Sequence, residues 1–289
     1  MQRNAFKLWR SLYMPLKKMS LNEELGNSAA HFFKSGNILR ADGYQKLTDL
    51  REVFPKHLKV EYDLWYDMDD DKRVHGYVYT DFMNMFLYVR PADTKRTYEV
   101  ALNAAKTPIT EEGEYLFSKI SESKDKYALP KSHKKHDFVV FMAGTNIWSK
   151  ITTAEKLDNA IKQGAYLKPH PLTAAPMLGH LKSRFPADRV LKPKTSAYEL
   201  LEEADIVGCF TNSEMGLSAL ARGKSPFLFN ETDKQYTFSA IYNAISVDGR
   251  PQKEKFLSFL SSKESGLIPL YAKNPQEYSD GFFNLLQGR

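Results

Sequence analysis

From residue 137 onward, short apolar runs alternate with helix-length amphipathic stretches, and no other feature of this 289-residue sequence constrains its fold as much. FVVFMAG (138–144) reads as a buried strand ending in a glycine turn, and a helix follows near Thr153–Gln163. AYLKPHP (165–171) is the next strand, then a helix near Ala174–Arg184 and a short strand at Arg189–Leu191. Ser196 caps AYELLEEA, DIVGCFT (205–211) is a strand, EMGLSALARG is a helix ended by Gly223, and SPFLF is a last strand. Strands and helices joined by short loops imply right-handed crossovers and a parallel α/β sheet. The sequence carries no G-x-G-x-x-G and no Walker lysine motif, which disfavours dinucleotide and P-loop binding.

Two of these strands deliver small or polar groups at their C-terminal ends, where open parallel sheets bind ligands. Pro171 stops the first of them after His170, because proline lacks the N–H that a ladder needs. Thr211, Asn212 and Ser213 end the second and are placed to cap a helix running from about Glu214 to Arg222. Hydroxyls and free N–H groups at a helix start suit a phosphate. An imidazole beside such a seat suggests a nucleotide pocket.

Hydrophobic residues at 42% and charged residues at 26% place the chain among globular proteins, and its apolar runs are too short to cross a bilayer. One cysteine, Cys209, excludes an internal disulfide framework. It fits a reducing cytoplasm and, inside an apolar strand, reads as a small buried hydrophobe. The first residues lack the apolar core of a signal peptide, so the expected location is cytoplasmic without stable membrane insertion. A net charge of +6 favours polyanionic partners. Residues 119–136 concentrate lysines, among them Lys131, Lys134 and Lys135, and read either as a phosphate-tracking surface or as a solvated linker.

The first part is less regular. Residues 1–19 mix aromatic and basic side chains on a short helical pattern ended by Pro15, suited to docking on the domain or to a membrane or nucleic-acid surface. Strand-like runs lie at Leu58–Trp65 and Tyr77–Val89, and helical pattern lies at 44–53 and 96–106. Between the strand-like runs, Asp67, Asp69, Asp70 and Asp71 could hold a divalent cation, although consecutive aspartates more often form a solvated loop; metal dependence stays open. The polar stretch around Pro130 marks the domain boundary, giving an acceptor-side domain over 1–130 and a donor domain over 131–289.

The order His-Pro, capped helix before an Ala-Asp strand, Thr/Ser strand end, and a later Gly-Lys-Ser-Pro segment resembles the donor domain of GT-B glycosyltransferases. It is most similar to bacterial capsule-polymer and sialyl-type transferases, which carry a His-Pro and a Ser/Thr motif. The resemblance covers roughly residues 137–230. It implies two Rossmann-like domains, the N-terminal one shorter, and a nucleotide-sugar donor, with a UDP-sugar favoured and a CMP-sugar as the alternative. It further implies that His170 contacts donor phosphate or ribose, assisted by Lys168, and that Thr211, Asn212, Ser213 and Glu214 line the phosphate and sugar subsite. These families place a carboxylate pair before glycine in the first half as the base. Glu111-Glu112-Gly113 matches that pattern, while ITEEGEYL reads equally as a helix start capped by Thr110. Asp42, Asp67 and Asp69 are the other candidate bases, one being expected.

Size, charge and the basic stretch also resemble phage enzymes that glycosylate hydroxymethylated cytosine in double-stranded DNA, some of which transfer arabinose. The expected partners are then that DNA, along Lys131, Lys134 and Lys135, and the nucleotide sugar. Two other readings stand beside this one: a capsule or lipooligosaccharide transferase peripheral to a membrane, and a non-catalytic nucleic-acid-binding α/β protein.

Overall fold

A computed structural model describes residues 49–62, 76–83, 85–123, 129–130, 132, 134–142, 152–171, 173, 175–229 and 238–288, all within one compact unit, Leu39–Arg289. The expectations for the arm 1–19, Asp42, Asp67, Asp69 and Lys131 lie outside the described residues.

In chain order the elements begin with β1 (Val60–Tyr62), β2 (Tyr77–Phe82), β3 (Phe86–Pro91), α1 (Thr94–Ala104) and α2 (Glu111–Glu122). The alternating part follows as β4 (Phe138–Phe141), α3 (Ala154–Lys162), β5 (Tyr166–Lys168), α4 (Ala175–Arg184), α5 (Ala197–Glu203), β6 (Ile206–Cys209), α6 (Met215–Ala221) and β7 (Phe227–Leu228). The chain closes with α7 (Ser239–Ile245), β8 (Ser246–Val247), β9 (Arg250–Pro251), α8 (Lys253–Ser261), β10 (Leu267–Pro269) and α9 (Pro275–Gln287).

Among the described residues, β5, β4, β6 and β7 form, in that order, an all-parallel sheet. Every residue of β4 is buried, as a central parallel strand covered on both faces requires. Its core joins Val140, Leu167 and Phe210 to Leu157 of α3, Leu181 of α4 and Phe185 just after it. The expected strand at Arg189–Leu191 is a single parallel bridge, Leu167 to Val190, entered from a 3-10 turn at Ala187–Arg189. Pro186 and Pro193 bracket this stretch and remove two ladder donors.

The other sheet has the order β1, β2, β3, β10 and is mixed, with β1 parallel to β2 and both remaining pairs antiparallel. Two expectations change here. The run 77–89 is a hairpin, not one strand, turning at Met83 with φ 54°. The expected boundary at 130/131 is crossed by strand pairing, since Leu267 pairs with Tyr88 and α9 packs on β10. Among the described residues, the sheet that the first half shares with β10 is therefore mixed and not parallel throughout. Its core is aromatic: Tyr77 meets Phe282 and Phe283 edge to face, at 6.2 and 5.1 Å. Gly266, at φ 82°, admits β10 to the sheet, because a Cβ there would stand 2.1 Å from the Val89 carbonyl oxygen.

Arg222 ties the halves together. Its buried guanidinium donates to the carbonyls of Ile120 (3.1 Å) and Ser123 (2.6 Å) at the C-terminal end of α2 and to Glu202 of α5 (2.6 Å). A cation suits that negative helix end.

Candidate functional site

A cavity of about 50 Å³ opens at the C-terminal ends of the parallel strands. Phe141 and Met142 line it from β4, Lys168 to Pro171 from β5, and Glu214 and Met215 from beyond β6, with Ala197 and Tyr198 of α5 closing the side. In the order β5, β4, β6, β7, successive connections leave β4 in opposite directions. The crevice between β4 and β6 is thus the topological switch point, where strand ends part and leave room for a ligand.

On the β5 side, the expected pair Lys168 and His170 reaches this cavity. Lys168 is 2% exposed rather than solvent-facing. Its ammonium donates to the carbonyls of Pro169 (2.7 Å) and Pro193 (2.9 Å). Lysine thereby shapes the His-Pro loop, which closes further through Thr173 N–H donating to the His170 carbonyl at 3.0 Å. His170 itself is half-buried on the cavity wall.

On the β6 side only Glu214 of the expected quartet lines the cavity, and the polar groups of the quartet are deployed differently from the expected phosphate seat. The Thr211 hydroxyl is buried against that of Ser239, 2.7 Å away. Asn212 is 3% exposed, and among the described residues neither of its amide atoms has a hydrogen-bond partner. The Ser213 hydroxyl accepts from Met215 N–H at 3.3 Å. Glu214, buried on the cavity wall, accepts the Met83 N–H at 2.8 Å through Oε2 and so reaches the hairpin of the first sheet. It is also the N-cap of α6, yet its side chain makes no capping bond. The Leu217 N–H in that first turn is shared between the Glu214 carbonyl and the Tyr242 hydroxyl, each 3.1 Å away. Protein groups therefore already engage hydroxyls and an N–H on which an open anion seat would depend.

Tyr242, on α7, was invisible to the sequence reading. Burial drives its phenol well above the ordinary range, and the neighbouring Cys209 and Glu214 push the same way. Burial likewise pushes the Cys209 thiol up to about 12, which fits an inert core residue. Met83 was missed as well, since nothing in a strand-like run marks a residue whose N–H will turn toward a carboxylate from another sheet.

The carboxylates Glu111 and Glu112 form the first turn of α2, where the Thr110 hydroxyl accepts the Gly113 N–H at 3.1 Å, as in an ordinary capped start. Glu111 is exposed, Glu112 interacts with the Tyr278 hydroxyl, and neither lines the cavity. In the basic stretch, Lys134 is exposed, whereas Lys135 pairs with Asp137 (2.8 Å) and Asp205 (3.5 Å). The Asp137 hydrogen bond and charge, with that of Asp205, raise the pKa of Lys135. Among the described residues no cluster of three or more His, Cys, Asp or Glu is placed to hold a metal ion, and no helix is long and apolar enough to cross a membrane.

No family model matches the chain, and no curated protein matches it. Among solved structures the chain is similar to Thermosulfurimonas dismutans KpsC, beta Kdo 2,7 transferase, at 18% identity and a TM-score of 0.44, over 86% of this chain and 91% of that one. A likeness at that score and identity carries neither family nor function to this chain.

Proposed function

We propose that this protein is a glycosyltransferase, taking a sugar from a nucleotide-sugar donor bound at the ends of β4, β5 and β6 and passing it to an acceptor hydroxyl. The observation that carries this reading is the switch-point cavity shared by His170-Pro171 and the buried carboxylate Glu214. A UDP-sugar is the favoured donor and a CMP-sugar the alternative. In this reading His170 faces the departing phosphate, where positive charge or an N–H donor stabilises the leaving group. Lys168 fixes the loop that presents it, and Glu214 accepts hydroxyl groups of the sugar. A carboxylate of the first half, from Asp42, Asp67, Asp69, Glu111 and Glu112, removes the acceptor proton. The new glycosidic C–O bond forms as the bond from the anomeric carbon to phosphate breaks, and the nucleotide leaves with that electron pair.

The acceptor is proposed at two levels. A hydroxymethylated cytosine in DNA would use Lys131, Lys134 and Lys135 along the phosphates. A capsule- or lipooligosaccharide-type glycan is the second reading. It is favoured by the ion pairs of Lys135 with Asp137 and Asp205, which offset one of the charges that DNA would need.

The deciding experiment offers the protein hydroxymethylated duplex DNA and oligosaccharide acceptors, each with a panel of UDP- and CMP-sugars, and reads products by mass spectrometry. Sugar on either acceptor supports transfer and selects between the two. If no acceptor gains a sugar and neither UDP nor CMP raises the melting temperature, the glycosyltransferase reading fails. In the supporting case His170→Ala abolishes the nucleotide-induced shift while leaving the circular dichroism spectrum unchanged.

A further inference from the structure

We propose that Tyr242 is a positioning residue of this site, setting the turn 213–217 that forms the β6 wall of the cavity; this role rests on the donor-site reading above. Its side chain is 0% exposed and does not line the cavity, so it acts through the turn and not by touching a ligand.

A phenol offers one O–H donor and two acceptor lone pairs. Tyr242 directs all three at one short stretch: it donates to the Ser213 carbonyl at 2.7 Å, accepts the Leu217 N–H at 3.1 Å, and accepts the Cys209 thiol at 3.9 Å. One turn earlier on the same face of α7, Ser239 holds the Thr211 hydroxyl at 2.7 Å. This single helix face therefore holds the Thr211 side chain before Asn212 and the Ser213 backbone after it, immediately before Glu214 and Met215 reach the cavity. The packing leaves no slack. A Cβ added at Gly216 would stand 2.3 Å from the Cys209 sulfur and 2.6 Å from the Tyr242 oxygen, so only glycine lets α6 approach.

α7 also meets the first half. α7 packs on α1, and Phe238 at its start meets Phe82 of the hairpin at 5.1 Å. Glu214 reaches the same hairpin at Met83. The β6 wall is thus held from the first half at two points, one above the turn and one at its end. Shifting the Ser213 carbonyl would move Glu214 off Met83 and change the cavity wall.

The test is Tyr242→Phe in the full chain, probed with UDP and CMP by isothermal titration calorimetry. Phe283→Leu serves as a control that lowers stability from the remote aromatic core. Tyr242→Phe is expected to weaken nucleotide binding about tenfold, a step worth one decade of affinity, while Phe283→Leu leaves it unchanged. Hydrogen exchange at Leu217 should speed up in Tyr242→Phe and not in the control. Ser239→Ala, a milder change, should weaken binding in the same direction and keeps the test open if the phenylalanine variant does not fold. Binding within twofold of the parent in both variants, or unchanged exchange at Leu217 in a folded Tyr242→Phe, overturns the positioning role alone. If the parent binds neither nucleotide, the donor-site reading falls and takes the role of Tyr242 with it.

Discussion

Among the described residues the two larger sheets have equal numbers of strands but draw them from different reaches of the chain. β4 to β7 are successive strands separated by crossover helices, and each pairs as local connection rules allow. The other sheet waits for its last strand until Leu267–Pro269, which pairs with β3 after the whole parallel domain has intervened. Closing so long a loop costs conformational entropy that only burial afterwards offsets. Here that burial is supplied by α9, through Tyr278, Phe282, Phe283 and Leu286. The parallel sheet thus fixes where the cavity lies. The mixed sheet, with the hairpin at Met83 and the helix α7, decides what shape its β6 wall takes.

Removing residues 263–289 is the hardest test of this contrast and has the largest expected effect. It exposes the large side chains that α9 buries, at about 1.5–3 kcal/mol each, a total comparable with the whole stability of a domain. The first half should lose cooperative unfolding by circular dichroism and calorimetry. A truncated protein that melts sharply at the parent temperature would show that β10 and α9 are ornaments on a complete first half.

Next in size is Arg222→Met, which leaves the carbonyls at the end of α2 without their cationic donor. The expected loss is about 1.5–3 kcal/mol in urea unfolding, the range for hydrogen bonds to a charged group. A loss below about 0.5 kcal/mol would mean that the two halves are held by apolar packing alone.

The core around β6 should also announce itself in alkali. The folded thiol of Cys209 has its pKa raised from 9.0 to about 12. Its contribution is therefore complete below pH 9 and is lost as pH rises from there toward 12, because the unfolded chain releases its proton first. Urea unfolding from pH 8 to 10.5 should show the parent falling more steeply than Cys209→Ala, by at most about 1.4 kcal/mol per pH unit. Equal slopes would contradict the burial of that thiol.

The smallest effect sharpens the seam itself. Glu214→Ala strands the Met83 N–H and should cost about 1–2 kcal/mol, while Glu214→Gln keeps an acceptor and should cost less than about 1 kcal/mol. If both variants unfold alike, the contact between hairpin and cavity wall contributes nothing measurable.

Much of the parallel half could be read in advance from local pattern. FVVF is apolar throughout because both faces are covered, and Ser196 accepts the Glu199 N–H at 3.3 Å as its place before a helical run implies. The strand ends carrying His170-Pro171 and Glu214 line one crevice, because strand order in such sheets follows from short right-handed connections. The first half resisted reading for equally physical reasons. The turn at Met83 needs a positive φ without a glycine to advertise it, and LIP at 267–269 is too short to identify as a strand until β3 offers it an edge.

The sequence by itself determined the alternation, the helix starts and the sheet end where polar groups gather, since these depend on side-chain period and on contacts a few residues apart. Only the tertiary structure decided that Lys168 is buried under two proline carbonyls, that Glu214 reaches Met83, and that the phenol of Tyr242 holds the turn after β6. Apart from the neighbouring Pro169 carbonyl, these contacts join groups far apart in the chain, and no local pattern encodes which distant partner will arrive once the backbone has closed.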